Sequence, residues 1–206
     1  MSYSISLNLN KRKALVVGAG PVAFRKINSL KEAGAQVTVV ALEISTHVKK
    51  ISDIICIVKE YEHSDIEGAF VVIAATSVKE VNQNIIRDCR KKNILCSCVD
   101  KKIPADFHMA ACLNRGDLTV AIHTTAKVPG VSRSLKKRLN KIISTEWGAF
   151  INYLGEKRTL IQQLPPSEKR ESLLRSFTEE EVIEILENEG LTQAQKHVEK
   201  MLEDYV

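Results

Sequence analysis

Val16-Val17-Gly18-Ala19-Gly20-Pro21-Val22-Ala23 sets two glycines and a small third residue at Gly-x-Gly-x-x-Ala spacing. The run before it is apolar and the pattern after it is helical, the order that a dinucleotide-binding turn requires. Gly18 permits the tight turn. Gly20 lets the backbone approach a pyrophosphate, which then lies at the positive end of the following helix, and Ala23 is small enough for close helix–strand packing.

In open parallel sheets ligands bind beyond the carboxyl ends of the strands. That rule nominates the loops at 18–23, 41–44, 75–82 and 100–104. Leu42 and Glu43 follow the second strand, where an acid holds ribose hydroxyls; Glu43 is either that acid or a solvated helix-start carboxylate. No Arg stands there for a 2′-phosphate, which favours NAD over NADP. Thr76 and Asn82 are placed to hydrogen-bond a cofactor or to cap a helix. Asp100 is placed to exchange a proton beside a nicotinamide, or to make a turn. His123, Thr124 and Thr125 precede a basic stretch of Lys127, Arg133, Lys136, Lys137 and Arg138, which reads as a solvated helix face or a surface for a polycarboxylate. His108, on a strand among apolar neighbours, reads as structural.

The elements that must position these groups alternate. Strands are predicted at 13–17, 36–41, 54–59, 69–75 and 94–99, with helices at 21–33, 44–52 and 79–92. The near-continuous apolar run Ala69–Ala75 marks a strand buried on both faces. Gly34 stops the first helix. Alternating strands and helices give an α/β, Rossmann-type parallel sheet. After Asp100 the pattern changes. Residues 107–113 and 118–123 read as a hairpin around Asn114–Asp117, and Pro129 opens a helix with Val131, Leu135, Leu139, Ile142 and Ile143 on one face. From Trp147 the chain is helical, broken by Pro165-Pro166, with Ser167 and Thr178 as N-caps (Thr178 in a capping box) and Gly190 between the last helices. This tail reads as two or three helices.

The 206 residues, 44% of them hydrophobic, suffice for one cored domain and a smaller appendage. No apolar run approaches the roughly 20 residues of a membrane span. With a polar N-terminus lacking a signal pattern, this predicts a soluble cytoplasmic protein without a membrane partner. Five cysteines without an export signal predict reduced thiols. Cys96 and Cys98 share one face of a strand and read as core residues rather than metal ligands. The net charge of +5, with no basic run interleaved with aromatics, argues against a nucleic-acid partner.

Taken together, the residues at 18–26, Gly34-Ala35-x-Val37-Thr38-Val39-Val40-Ala41, Ala74-Ala75-Thr76 with Val81-Asn82, Cys98-Val99-Asp100 followed by Phe107, and Arg115-Gly116-x-Leu118-x-Val120-Ala121-Ile122 resemble precorrin-2 dehydrogenase, the N-terminal module of siroheme synthase. The resemblance implies NAD-dependent oxidation of precorrin-2, a polycarboxylate tetrapyrrole, to sirohydrochlorin in siroheme biosynthesis. It implies a homodimer, with a Rossmann domain over 1–113, a small α+β dimerisation segment over 114–146 and a helical domain over 147–206 that covers the active-site cleft. It places Asp100 on the aspartate implicated in dehydrogenation and in chelation, Pro21, Val22, Leu42 and Glu43 on NAD-contacting positions, and Thr124 where many members carry serine. It assigns no resident metal. Some members also insert ferrous iron, so a bifunctional enzyme and a non-catalytic NAD or tetrapyrrole binder stand as alternatives. The chain departs from the family at His123–Val128, where a glycine and a second serine are replaced, and at Ala110, where proline is common.

Overall fold

The computed structural model describes residues 3–100, 102–124 and 128–205, and the chain divides into two compact units, 1–109 and 110–206.

In the first unit, strands β1 (Lys13–Val17), β2 (Gln36–Ala41), β3 (Ile55–Val58), β4 (Val71–Ala74) and β5 (Leu95–Cys98) form one parallel sheet in the order β3-β2-β1-β4-β5. β1 thus pairs with β2 on one side and β4 on the other, with Val17 opposite both Val40 and Ala74. Helices α1 (Pro21–Glu32) and α2 (Thr46–Lys49) cover one face, and α3 (Lys79–Lys91) with the 3₁₀ turn His63–Ile66 covers the other. Successive strand residues therefore enter opposite cores. Val16, Val39 and Ile73 pack with Ala23 and Ile27; Leu15, Val40 and Val72 pack with Ile66, Ile85 and Cys96. Burying each such side chain contributes roughly 1.5–3 kcal/mol, and burial on both faces is why Ala14–Val17 and Val71–Ala74 read as unbroken apolar runs, whereas the edge strand β3 is exposed.

β1, β2 and the start of α1 lie where the sequence predicts. α1 ends in a Schellman motif: Ala35 N–H donates to Leu30 O at 3.0 Å and Gly34 N–H to Lys31 O at 2.9 Å, with Gly34 at φ +78°. α2 is a single turn, shorter than the predicted 44–52. Only Val48 of that turn is buried, so packing gives the rest nothing to gain by being helical.

The second unit opens with the antiparallel hairpin β6 (Ala111–Arg115) and β7 (Leu118–Ile122). The predicted first strand, 107–113, starts too early. Phe107 packs against the α1 face of the parallel sheet, and Asp106 exchanges hydrogen bonds with Cys96 (N–H to O at 2.9 Å; Cys96 N–H to Oδ2 at 3.0 Å). These contacts hold 106–107 to the first unit. His108, expected on a strand, is exposed ahead of β6. The turn itself is Gly116-Asp117. Gly116 has φ +57° and Asp117 has no positive φ, the pattern of a II′ hairpin turn.

Five helices follow: α4 (Pro129–Ile142), α5 (Glu146–Gln162), α6 (Glu168–Ser176), α7 (Glu180–Asn188) and α8 (Leu191–Glu203). The tail from α5 onward therefore has four helices among the described residues, not two or three. Its core is Phe150, Ile161, Leu173, Phe177, Val182, Leu186, Ala194 and Val198. Ser167 caps α6, its hydroxyl accepting Arg170 N–H at 3.1 Å. Thr178 is not a cap. Its hydroxyl donates back to Arg175 O at 3.0 Å, and Glu179 occupies the N-cap position of α7. Gly190, at φ +88°, is the N-cap of α8. At the hairpin, a side chain on Gly148 would put its Cβ 2.2 Å from Arg115 O, so α5 crosses the turn through a glycine. Among the described residues no helix is long and apolar enough to cross a membrane.

Candidate dinucleotide site

The strand order reverses direction between β1 and β4, and a cleft of about 650 Å³ opens at the carboxyl ends of the strands there. That volume suits a small-molecule site. Gly18, Gly20, Pro21, Val22, Leu42, Glu43 and Thr76 all line it. The geometry of the two glycines separates their roles. Gly18 has φ +108°, and a Cβ there would fall 2.3 Å from Ala75 O, so any side chain would force β1 and β4 apart. At Gly20 a Cβ would meet nothing within 4 Å; the space beside the backbone is open cleft. Gly20 offers no side chain to cap α1 and Pro21 no N–H, so the first-turn amides, beginning with that of Val22, have no side-chain cap. No acid occupies that turn. Open space, free amides and the positive helix end together fit a pyrophosphate. Ala23 is fully buried against the sheet, as its small size predicts.

Thr76 and Asn82 act as a pair. Thr76 N–H donates to Asn82 Oδ1 at 3.1 Å, Thr76 Oγ1 lies 2.9 Å from the same oxygen, and Asn82 Nδ2 donates to Thr76 O at 3.0 Å. Asn82 is buried and is not among the residues lining the cleft. Its polar atoms are spent on holding the loop after β4, so it positions Thr76 rather than facing a ligand.

Asp100 lies two residues beyond β5. Its Oδ1 accepts Lys102 N–H at 2.9 Å, which fixes the carboxylate. Val99, one residue earlier, lines the cleft; Asp100 does not. Thr124 follows β7 in the second unit. Thr125, Ala126 and Lys127 lie outside the described residues. Cys89, Cys96 and Cys98 are buried in the α3-side core, and burial pushes the Cys98 thiol up from its ordinary value.

Sequence reasoning passed over the loop after β3, from which Lys59, Glu60 and Tyr61 line the cleft. The signal was there: β3 ends at the same sheet edge as its neighbours, so its loop belongs with theirs. Tyr61 donates its hydroxyl to Asp88 at 3.2 Å, and burial with the Asp88 charge pushes its pKa well up. Lys59 is paired with Asp65 at 2.8 Å and Glu62 at 3.1 Å.

A family model described as putative NAD(P)-binding matches residues 5–111. The siroheme synthase of Mannheimia succiniciproducens is 27% identical over 98% of this chain and 44% of its own length. That of Methylobacillus flagellatus is 33% identical over 77% of this chain and 35% of its own. The chain spans less than half the length of these relatives. The solved structure of SirC, precorrin-2 dehydrogenase, aligns with 97% of this chain and 100% of its own at TM-score 0.77 and 24% identity, a likeness of fold.

Proposed function

The chain belongs to the putative NAD(P)-binding family, and from that footing we propose that it is a dehydrogenase that oxidises precorrin-2 to sirohydrochlorin with NAD as hydride acceptor. The observation that carries the proposal is the cleft at the β1–β4 switch point, built on Gly18 and Gly20, in a chain whose fold follows SirC along that protein's whole length.

Bound NAD supplies the nicotinamide carbon that takes the hydride. This chain's residues bind and position. Gly20 and the first-turn amides of α1 hold the pyrophosphate, Glu43 accepts hydrogen bonds from ribose hydroxyls, and Thr76, fixed by Asn82, forms the wall beyond β4. Two electrons and a proton leave the tetrapyrrole as hydride; Asp100 takes the second proton, its carboxylate aimed by the Lys102 amide. Arg133, Lys136, Lys137 and Arg138, all exposed on α4, give that helix a cationic face of the kind that attracts a polycarboxylate.

We assign the homodimer to the segment 114–146. α4 supports this, because Val131, Leu135 and Ile142 form an apolar stripe at helical spacing that is exposed in the single chain, Ile142 to 63%. The five cysteines are all free, which supports a cytoplasmic setting.

The test is the rise in reduced-nicotinamide absorbance when anaerobic precorrin-2 and NAD meet the purified protein. No NAD-dependent conversion by folded protein sinks the proposal. Asp100→Ala should lower turnover about a hundredfold with NAD binding intact; unchanged turnover removes Asp100 from the reaction. Leu135→Asp should shift the sedimenting species from dimer to monomer.

A further inference from the structure

Lys59 is the one cation among the described residues that line the cleft. Its backbone places it at the adenosine end. Val58 pairs with Ala41, and Lys59 N–H donates to Ala41 O at 3.2 Å, so Lys59 sits beside the end of β2 and the Leu42-Glu43 pair that follows. In dinucleotide folds this is where the ribose 2′ position is read: an acid there accepts from a 2′-hydroxyl, and a free cation there receives a 2′-phosphate.

Lys59 is not free. Its Nζ lies 2.8 Å from Asp65 Oδ1 and 3.1 Å from Glu62 Oε2. Asp65 is only 10% exposed, and its other oxygen accepts Glu62 N–H at 2.9 Å in the capping box of the 3₁₀ turn, so the buried carboxylate cannot swing away. One positive charge is thus matched by two negative ones, and the other charged residues lining the cleft, Glu43 and Glu60, are both acidic. A phosphate brought to this corner meets net negative charge and a lysine that already spends two of its three N–H donors on carboxylates.

We infer that Lys59 is the residue on which the choice between NAD and NADP turns, and that Asp65 and Glu62 set the choice to NAD by engaging it. This rests on the reading of the cleft as a nicotinamide-dinucleotide site. Glu43 discriminates by accepting a hydroxyl. The Lys59 cluster discriminates by withholding a cation, so removing its carboxylates turns a rejecting corner into a phosphate-binding one.

The experiment is calorimetric titration of the full chain with NAD and, separately, with NADP. The variants are Asp65→Asn with Glu62→Gln, Glu62→Gln alone, and the double variant carrying Lys59→Met. Both amide replacements keep an acceptor for the capping-box amides, and thermal melting checks that each variant folds. The native chain should bind NAD at least about tenfold more tightly than NADP. The double variant should gain about tenfold for NADP with NAD changed by less than about threefold, Glu62→Gln alone should gain about threefold, and Lys59→Met should erase the gain. The gain should shrink as salt is raised. An unchanged NADP affinity in variants that still bind NAD overturns the inference while leaving the dinucleotide site intact, as does a gain that survives Lys59→Met. Failure of the native chain to bind either dinucleotide overturns the reading of the cleft and this inference with it.

Discussion

The two units dispose of apolar surface in different places. In the first, the inner strands of one sheet are covered on both faces, with Val16, Val39 and Val72 wholly buried, while the edge strand β3 is exposed along its length. In the second, a four-helix cluster has its own core, but α4 contributes no buried residue to it and leaves Leu135 40% exposed. The first unit sets its cleft at the carboxyl ends of buried inner strands. The second has its own core and an apolar stripe exposed on α4. A site for a small cofactor needs a rigid rim, which strands buried on both faces supply.

Glycine gives the sharpest way to test that contrast, because each unit has one position where a methyl group has no room. Gly18→Ala should cost about 3 kcal/mol or more of stability and abolish dinucleotide binding, since the new Cβ drives into Ala75 O and the backbone is held at positive φ. Urea unfolding and a dinucleotide titration measure the two effects. Gly148→Ala meets Arg115 O just as closely, yet should cost about 2–3 kcal/mol while leaving dinucleotide affinity within about twofold. Equal losses of binding in both variants would break the distinction between the units. Next in size, Asn82→Ala removes the bonds that hold Thr76 and leaves buried backbone groups unpaired. It should cost about 2 kcal/mol and weaken dinucleotide binding roughly tenfold, the binding loss exceeding that of Gly148→Ala.

The smallest effect belongs to the second unit. Lys157, 2.6 Å from Glu199 Oε1, and the Tyr153 hydroxyl at 2.8 Å hold the Glu199 carboxyl below the usual carboxylate range. A depressed folded-state value means this pairing stabilises the chain above the ordinary glutamate pKa. The contribution is lost as pH falls through the depressed one. The urea midpoint should therefore drop on acidification in that window, and Glu199→Gln should flatten the drop. Because Glu199 is nearly half exposed, solvent screens the pair and the change is slight.

How far these features are legible in the sequence follows the same division. Residues Ala14–Val17 and Val71–Ala74 announce their strands because burial on both faces demands apolar residues throughout. Gly18 and Gly20 announce the turn because backbone geometry leaves no substitute. Asn82 was legible as a polar residue but not as a buried one; only its bonds to Thr76 decide that it faces inward. Lys59, Glu60 and Tyr61 were missed because their own residue types say nothing of a ligand: what makes them part of the cleft is the pairing of Val58 with Ala41. The hairpin start was misread because 107–113 has strand-like composition throughout, and the competition for Phe107 is won by a core far away in the sequence. Thr178 carried a good cap signature that lost to its bond with Arg175 O.

The central place of β1 also fixes an order in time. β2 begins at Gln36, soon after β1, while β4 begins only at Val71, so one edge of β1 is satisfied by closing a short loop and the other by closing a much longer one. As the chain leaves the ribosome, the β4-facing edge of β1 stays bare through the synthesis of two further strands. The floor of the cleft, where Ala75 N–H donates to Val17 O, closes only with that longer loop. A dinucleotide therefore finds its site only once that loop has closed. It can only hold the finished sheet by mass action, and pulse-labelled amides during refolding should gain protection in β2 before β4.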